Sequence, residues 1–495
     1  MTTEAAARVS RSTVGLRSER GPILGSVMLS IALVAIDTTI LATAVPAIVG
    51  DLGGFTQFPW LFSTYLLAQA VTTPIYGKLA DVFGRKPLMM AGIGLFMVGS
   101  VFCALAWSMT ALIVARAVQG LGAGAIQPTG MTIMGDIYSV AERAVAQGYI
   151  ASVWAISAVV GPTLGGLLSE HASWRWIFWI NIPLGLVAAV MLQRRFTESA
   201  EHATTTRRPI DGLGATLLAG AAGLLLLGLL EGGIRWAWDS PASIGIFAGA
   251  VVLTLLFAYV ESRAADPVLP PWVFGNRVLN AATIGAFVVG TVMLGVTSYV
   301  PVYAQRVLGS GAVVAGLAVA ALAIGWPIAA STAGRFYLRL GFRPCLLAGS
   351  VFGVAGAGLL TLADPGSSVL LMAAGCLVLG LGLGYVASPS IVAAQSAVVW
   401  SKRGVATGTN MFARSVGSAV GVAVFGAIAN AAVVSRTGGD PGDVELDRLP
   451  VDVLQPALHA VFLAVAACAV LLVLAGLLMP SRLDDPTEPG SATGE

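Results

Sequence analysis

Long apolar runs separated by short polar or basic stretches fill most of the 495-residue chain. A helix needs about 20 apolar residues to cross the hydrocarbon core of a bilayer. Runs of this length occur about fourteen times, from residues 23–48 to residues 457–479. The weakest separations are Trp107-Ser108, between the third and fourth runs, and the stretch between the seventh and eighth. The pattern predicts an all-α integral membrane protein with about fourteen transmembrane helices.

The basic residues predict how these helices are oriented. If the N-terminus is cytoplasmic and the helices alternate, twenty of the 27 Lys and Arg residues lie inside, five lie outside and two lie within helices. Cytoplasmic loops of membrane proteins carry such an excess. A miscounted helix would reverse the assignment after it and remove the bias. We therefore expect an even number of helices with both termini in the cytoplasm.

Composition supports a membrane location and weakens other functions. Charged residues make up 11% of the chain and hydrophobic residues 57%, whereas soluble domains carry about 25% charged residues. The net charge of +2 gives no basis for a nucleic-acid partner. The four cysteines lie in apolar runs without metal-binding spacing, so we expect neither a metal site nor disulfides.

The chain repeats itself internally. GKLADVFGRKP at residues 77–87 aligns with GRFYLRLGFRP at 334–344, and GLGAG at 120–124 aligns with GLGLG at 380–384. The first match relates the loop after helix two to the loop after helix ten, a shift of eight helices. Two six-helix halves with two helices inserted between them explain this shift, and duplicated bundles around a central site are typical of transporters.

These observations predict a linear domain organisation. We expect a cytoplasmic tail (1–21), an N-terminal six-helix bundle (22–193), a linker with two inserted helices (194–277), a C-terminal six-helix bundle (278–432 and 457–479), an extracytoplasmic loop (433–456) and a second cytoplasmic tail (480–495).

Five motifs, in order along nearly the whole chain, resemble the major facilitator superfamily, specifically its fourteen-helix drug:proton antiporter family. They are a first-helix motif from Asp37 to Pro46, a loop motif (Gly77, Leu79, Ala80, Asp81, Gly84, Arg85, Lys86, Pro87), a fourth-helix motif (Arg116, Gln119, Gly120, Gly122, Gly124), an antiporter motif (Gly161, Pro162, Gly165, Gly166) and the segment Trp174 to Pro183. The resemblance implies the major-facilitator fold and proton-driven export of drugs. Two departures, Leu338 in place of Asp81 in the second repeat and Ala42 where the family has asparagine, bear mainly on substrate preference.

Asp37 is the only carboxylate deep within a predicted span, and Arg116 and Arg414 are the only deep cations. A charge near the bilayer centre costs at least about 2.5–3.5 kcal/mol, so such residues are usually functional. Asp37 lies roughly 16 Å and Arg116 roughly 10 Å below the outer ends of their helices, which permits a pair or a shared aqueous cavity. The resemblance implies that both helices line the central cavity. We hypothesise that Asp37 couples transport to protons and binds cations, with Arg116 tuning its protonation. A purely structural ion pair is the alternative.

The loop motif, with Gly77, Asp81, Gly84, Arg85 and Lys86, is interpreted as a gate latch, an interpretation that rests on the resemblance. The glycines permit a tight turn. Asp81 can pair with Arg85 or cap a neighbouring helix N-terminus. The alternative is that the basic residues only fix the loop in the cytoplasm.

The antiporter motif, Gly161, Pro162, Gly165 and Gly166, is expected to form a pliable contact between the bundles, because proline bends a helix and glycines admit a close neighbour. Ordinary glycine-rich packing is the alternative reading. The residues proposed as cavity-lining candidates are Tyr65, Gln69, Trp154 and Arg414. For Arg414, about 15 Å from the inner end of its helix, substrate contact and interdomain hydrogen bonding both stay open.

The preferred function is a proton-coupled exporter of small amphipathic or cationic drugs, with no catalytic residues and no metal. No P-loop for ATP occurs, so the proton gradient is the expected energy source and no cofactor is expected. The expected partners are a small-molecule substrate, the lipid bilayer of the cell membrane and protons. A monomer is compatible with the sequence. A dedicated exporter of one metabolite or lipid is the alternative, and an embedded enzyme or receptor is disfavoured because the spans lack clustered acids or histidines.

Overall fold

The structure is a computed structural model that describes residues 14–53, 57, 60–198, 211–232, 235–264, 267–437 and 450–481. It is helical throughout this part of the chain, where no strand forms and Gly232 and Trp236 make an isolated bridge. Most of the predicted N-terminal tail, residues 199–210 of the linker, residues 438–449 of the outer loop and residues 482–495 of the C-terminal tail lie outside the described residues.

Fourteen long helices occupy the described residues. They are α1 (Gly21–Leu52), α2 (Trp60–Phe83), α3 (Arg85–Ala104), α4 (Met109–Ile137), α5 (Val140–His171), α6 (Trp176–Arg195), α7 (Gly212–Glu231), α8 (Pro241–Glu261), α9 (Arg277–Arg306), α10 (Ala312–Leu340), α11 (Phe342–Thr361), α12 (Val369–Ser396), α13 (Arg403–Thr437) and α14 (Val451–Leu478). Between Ser396 and α13 lies one 3-10 turn, Trp400–Lys402.

Thirteen of these helices in the described part of the chain are long and apolar enough to span a membrane, and α2 is the exception. Its sequence includes polar residues such as Gln69, Lys78 and Asp81, which lower its hydropathy. Helix α2 nevertheless packs within the bundle at full length. The all-α membrane fold is therefore confirmed. Helix α2 is less apolar than the other long helices described, and its polar residues belong to the candidate site described below.

Side-chain caps begin several helices where the apolar runs were hardest to separate. Ser108 accepts a hydrogen bond from the backbone of Ala111 at the start of α4, and Ser240 does the same for α8. Ser139 and Glu142 form a capping box at the start of α5. Such caps satisfy backbone N–H groups that the first turn of a helix leaves unpaired.

Helices α1–α6 pack as one bundle and α9–α14 as another. The bundles meet where α2 packs on α13 and α5 packs on α10. The inserted helices α7 and α8 pack on each other, and α7 also contacts both α2 and α13. Leu226 of α7 shares a small apolar cluster with Ala70 of α2 and Ala419 of α13. Helix α7 therefore covers the seam between α2 and α13.

The internal repeat appears in the backbone. Gly84, between α2 and α3, has φ of +94°, and Gly341, between α10 and α11, has the same value. A left-handed conformation of this kind favours glycine because it has no Cβ. Gly120 packs against the carbonyl of Tyr65, and Gly380 packs equivalently against the carbonyl of Leu322. The same glycines make the same contacts in both halves.

The segment from Gly77 to Pro87 is not the loop that the sequence predicted. Helix α2 continues to Phe83 and α3 begins at Arg85, so Gly84 alone connects them. The sequence pattern places residues 77–87 in a loop, because the apolar run of α2 gives way to the charged Lys78 and Asp81. These charged side chains are instead buried by neighbouring elements, which lets the helix continue.

Candidate functional site

Asp37 lies midway along α1, and its side chain is 1% exposed. Its Oδ2 accepts a hydrogen bond from Arg116 Nη1 of α4 at 2.5 Å. Its Oδ1 accepts hydrogen bonds from Gln119 Nε2 at 2.7 Å and Asn181 Nδ2 at 3.2 Å. Both carboxylate oxygens are therefore engaged by protein groups.

Arg116 is held on every side. Its Nε donates to the carbonyl of Leu61 on α2 at 3.1 Å, and its Nη1 also donates to Gln119 Oε1 at 2.7 Å. The Tyr65 ring lies against the guanidinium, with 4.1 Å from Cζ to the ring centroid. Because the positive charge meets a carboxylate, two oxygens and an aromatic face, the pair is compensated within one bundle.

Three residues to which the sequence analysis gave no role, Ser100, Gln119 and Asn181, complete this cluster. Gln119 Nε2 also donates to Ser100 Oγ of α3 at 2.8 Å, and Asn181 of α6 donates to the same oxygen at 3.3 Å. Gln119 belongs to the fourth-helix motif and Asn181 to the Trp174–Pro183 segment, but neither was assigned a role. The available signal was that both are polar residues inside apolar spans.

Of the two arrangements expected for Asp37 and Arg116, a pair or a shared aqueous cavity, the structure has the pair, and in this conformation its side chains do not open into a central cavity. Asp37 accepts hydrogen bonds from groups on α4 and α6, which in turn contact Ser100 of α3, so the enclosed cluster lies within one bundle. The depth estimate required only that α1 and α4 be neighbours, and it could not determine which way the side chains turn. Two buried polar atoms beside the pair, Tyr65 Oη and Asn181 Oδ1, have no hydrogen-bond partner in the described structure.

The second candidate site joins the bundles at the end of the molecule that carries Arg85 and Arg403, called here the basic end. Asp81 of α2 accepts hydrogen bonds from the backbone N–H groups of Gly404 and Val405 at the start of α13, both at 2.9 Å. A carboxylate at a helix N-terminus satisfies unpaired N–H groups and interacts favourably with the helix dipole. Asp81 also accepts a hydrogen bond from Arg85 at 2.9 Å.

Arg85 extends this contact into a network. Its side chain is fully buried and also pairs with Asp136 of α4 at 3.0 Å. It donates to the carbonyl of Trp400 at 2.8 Å and lies 3.5 Å from the centroid of that residue's ring. Arg403 of α13 pairs with the other oxygen of Asp136 at 3.1 Å. The sequence reasoning missed Asp136, Trp400 and Arg403, because nothing in their spacing relates them to Arg85.

Further polar contacts between the bundles lie at the same end. Arg143 of α5 donates to Ser396, Gln395 donates to the carbonyl of Met131, and Tyr337 donates to the carbonyl of Val140. Together with the Asp81 network, they close the basic end of the molecule.

The other loop-motif residues have separate structural roles. Gly77 is helical, and a Cβ there would meet the carbonyl oxygen of Gly404 at 2.5 Å, so it permits α2 and α13 to touch and makes no turn. Gly84 does make the turn. Lys86 donates to the carbonyl of Gln193 at 2.9 Å, which ties α3 to α6 within one bundle.

The sequence analysis predicted that the antiporter motif lies between the bundles. The structure places it inside the N-terminal bundle instead. Gly161 and Gly165 of α5 pack against Thr39, Ile40 and Thr43 of α1, in the same bundle, and a Cβ on Gly166 would meet nothing within 4 Å. The carbonyl of Pro162 accepts a hydrogen bond from Thr43 at 3.3 Å. The motif therefore fixes α1, which carries Asp37, against α5.

The proposed cavity residues fall in different places. Tyr65 is buried beneath Arg116. Gln69 is half-buried and donates to Gln127 of α4 at 3.2 Å, and Trp154 packs against the core of the N-terminal bundle. Arg414 is half-buried on α13, and its guanidinium makes no hydrogen bond or ion pair with any described residue.

Comparison with known proteins agrees with this fold. Residues 27–422 match the family model described as Major Facilitator Superfamily. The chain belongs to the major facilitator superfamily. Its members are transporters, so the expectation that the chain is not an enzyme is confirmed.

Relatives in this superfamily include multidrug transporters. The chain is 33% identical over 420 residues to the multidrug transporter protein MdtP of Bacillus subtilis, covering 85% of this chain and 77% of that protein. It is 34% identical over 417 residues to multidrug resistance protein 3 of the same organism, covering 84% and 81%. The efflux pump dotC of Dothistroma septosporum is 34% identical over 408 residues, covering 81% and 70%.

Solved structures share the fold at low sequence identity. The human organic anion transporter MFSD10 matches with a TM-score of 0.65 and 15% identity, covering 93% of this chain and 99% of that one. A bacterial homologue of the iron transporter ferroportin matches with a TM-score of 0.63 and 11% identity, covering 92% and 99%.

Proposed function

We propose that the chain is a proton-coupled antiporter of the cell membrane that exports small amphipathic molecules. The observation that carries this proposal is the enclosed Asp37–Arg116 pair in the middle of the N-terminal bundle. Relatives named as multidrug transporters and efflux pumps support export of foreign or toxic compounds.

Protonation of Asp37 would couple proton movement to transport by changing how α1 packs against its neighbours. Its carboxylate joins α1 to α4 and α6 through three hydrogen bonds. Protonation would remove the charge that holds Arg116 and turn an acceptor into a donor, so the contacts of α1 would weaken. A conformation that opens the cluster to water would let a proton enter, and Tyr65 Oη and Asn181 Oδ1 offer it unpaired polar atoms. In this mechanism the proton acts on the packing of α1 without touching the substrate.

The basic end is taken to be cytoplasmic, with both termini on that side, because positive residues concentrate there. The Asp81 network then closes the molecule toward the cytoplasm. Breaking it would accompany opening to the cytoplasm, and the two bundles would rock about their shared seam. No cofactor enters this mechanism, and the energy comes from the proton gradient.

The test is transport by the full-length protein in liposomes with an imposed pH gradient. Two probes with one fluorophore are used, dansylcadaverine, which ends in an amine, and dansyl-aminohexanoate, which ends in a carboxylate. We expect transport of at least one probe that a protonophore abolishes. Asp37→Asn should remove the response to the gradient. Asp51→Asn is the matched control, because Asp51 lies at the end of the same helix with an exposed side chain paired to Arg175.

Three results would count against the proposal. Transport that ignores the pH gradient would indicate a facilitator. A gradient response that survives in Asp37→Asn would remove the coupling role. Absence of flux with probes of either charge would favour a dedicated exporter of one metabolite or lipid.

A further inference from the structure

Arg414 lies about a third of the way along α13, eleven residues after the helix begins, which places it about 16 Å from the basic end. Its backbone carbonyl packs against Gly290 of α9, where a Cβ would collide with it. Contact with α9 inside the C-terminal bundle therefore fixes the backbone of Arg414, and its side chain takes no part in this contact.

The side chain has no such partner in the described structure. Arg85, Arg116, Arg143 and Arg403 each donate to a carboxylate, hydroxyl or carbonyl oxygen. The guanidinium of Arg414 makes no hydrogen bond or ion pair among the described residues, and no charged group acts on it there. Buried or membrane-embedded cations normally pair, since an isolated charge in a low-dielectric setting is costly.

The deep carboxylate cannot neutralise Arg414. Asp37 is engaged at both oxygens by Arg116, Gln119 and Asn181 within the other bundle. Among the described residues deep within the membrane-spanning helices, Asp37 and Arg116 therefore form a compensated pair in the N-terminal bundle. Arg414 is an uncompensated positive charge in the C-terminal bundle.

Helix α13, which carries Arg414, lies at the contact between the bundles, because it packs on α2 and also contacts α4. Met411, one turn earlier on this helix, belongs to an apolar cluster that Met131 of α4 joins from the other bundle. Arg414 is thus about three turns beyond the start of α13 and one turn beyond Met411, and its side chain is half-buried.

We infer that Arg414 binds an anionic group of the transported molecule, such as a carboxylate or sulfonate, so that the preferred substrates are acidic amphiphiles and not cations. Guanidinium suits this task because it presents several N–H donors in a planar fork that matches carboxylate geometry. The inference rests on the proposed transport function and names its substrate class. It replaces the expectation of cationic substrates, which depended on a free Asp37 carboxylate.

Binding without any gradient tests the inference. The purified full-length protein is titrated with dansyl-aminohexanoate and with dansylcadaverine, which differ in the sign of the terminal group. We expect the wild type to prefer the carboxylate probe. Arg414→Gln should weaken the binding of the carboxylate probe by about ten- to hundredfold, the range expected for lost charge-assisted hydrogen bonds. The affinity for the amine probe should stay unchanged or increase. Arg414→Lys should retain part of the preference.

Arg436→Gln is the matched control, because Arg436 is an exposed arginine in the last turn of the same helix. It should change neither affinity by more than about twofold, as for surface charges that are screened by solvent. A wild type that prefers the amine probe or binds neither probe would overturn the inference. So would an Arg414→Gln variant that binds the carboxylate probe normally or weakens both probes equally.

The outcome is separable from proton coupling. Carboxylate binding through Arg414 together with gradient-independent flux would overturn proton coupling and leave this inference intact. Gradient-driven flux that does not distinguish the two probes would overturn the inference alone.

Discussion

The side-chain amide of Asn181 donates a hydrogen bond to the carboxylate of Asp37 across 144 positions of sequence, with the two atoms 3.2 Å apart. This contact turns Asp37 toward α6 and into its own bundle. It also means that any change at Asp37 acts first on the packing of four helices, and only then on transport.

A double-mutant cycle can separate a coupling role for Asp37 from a structural one. Asp37→Asn alone leaves Arg116 buried without its anion, and we expect a loss of about 3–5 kcal/mol of stability. The Asp37→Asn, Arg116→Gln double variant should regain most of this loss, because neither charge remains. Thermal unfolding in detergent gives the stabilities, and transport in liposomes gives the response to the pH gradient.

The double variant decides between the two roles. If the pair only holds α1 and α4 together, recovery of stability should restore gradient-driven transport. If Asp37 carries the coupling proton, the double variant should be stable and still insensitive to the gradient.

Removing the charge of Asp81 should open the basic end. Asp81→Asn keeps the side-chain shape but loses the anion that Gly404, Val405 and Arg85 contact. Charge-assisted hydrogen bonds are worth about 1.5–3 kcal/mol, so the closed population should fall by roughly ten- to hundredfold relative to the open one.

Spin labels at Phe83 and Leu340 can measure this change. Both residues are exposed at the basic ends of helices in different bundles. Asp81→Asn should add a longer distance to the distribution. Glu198→Gln is the control, because Glu198 accepts a hydrogen bond from the backbone of Arg85 at 2.7 Å without contacting the other bundle. Equal lengthening in both variants would argue against a specific latch at Asp81.

Two neighbouring glycines of the antiporter motif should tolerate alanine differently. A Cβ on Gly165 would collide with the backbone of Ile40, whereas a Cβ on Gly166 would meet nothing within 4 Å. Gly165→Ala should lower stability by about 1–3 kcal/mol through overpacking, and Gly166→Ala should be close to neutral. Thermal unfolding of the two variants compares them directly, and similar losses would show that the α1–α5 contact is not tight.

Replacing Arg414 should stabilise the protein when no substrate is present. Arg414→Met removes an unpaired, half-buried charge and keeps an apolar side chain, so we expect a gain of about 1–2 kcal/mol. Arg116→Met should do the opposite, because it leaves Asp37 buried without its partner. Thermal unfolding of the ligand-free proteins gives the direction of the stability change in each variant. A destabilised Arg414→Met variant would show that Arg414 has a structural partner in the folded protein.

Some site residues were predictable from sequence and others were not. Asp37, Arg116 and Arg414 stood out because a charge inside an apolar run is visible in one dimension. Asp136, Arg403 and Asn181 were missed because their importance comes from residues that meet them at distances of 51 positions or more along the chain. Polar character within or beside a span is the only local signal that they carry.

The sequence by itself determined the helices and the duplication and predicts their sidedness, because apolar length, repeated glycines and basic-residue placement are properties of the chain read along its length. Only the tertiary structure decided that Asp37 turns into its own bundle, that Gly77 and Gly165 pack helices together, and that Arg414 is left without a partner. These facts depend on how helices rotate and which distant residues they bring together, and a hydrophobic pattern without a strong amphipathic face leaves that rotation undefined.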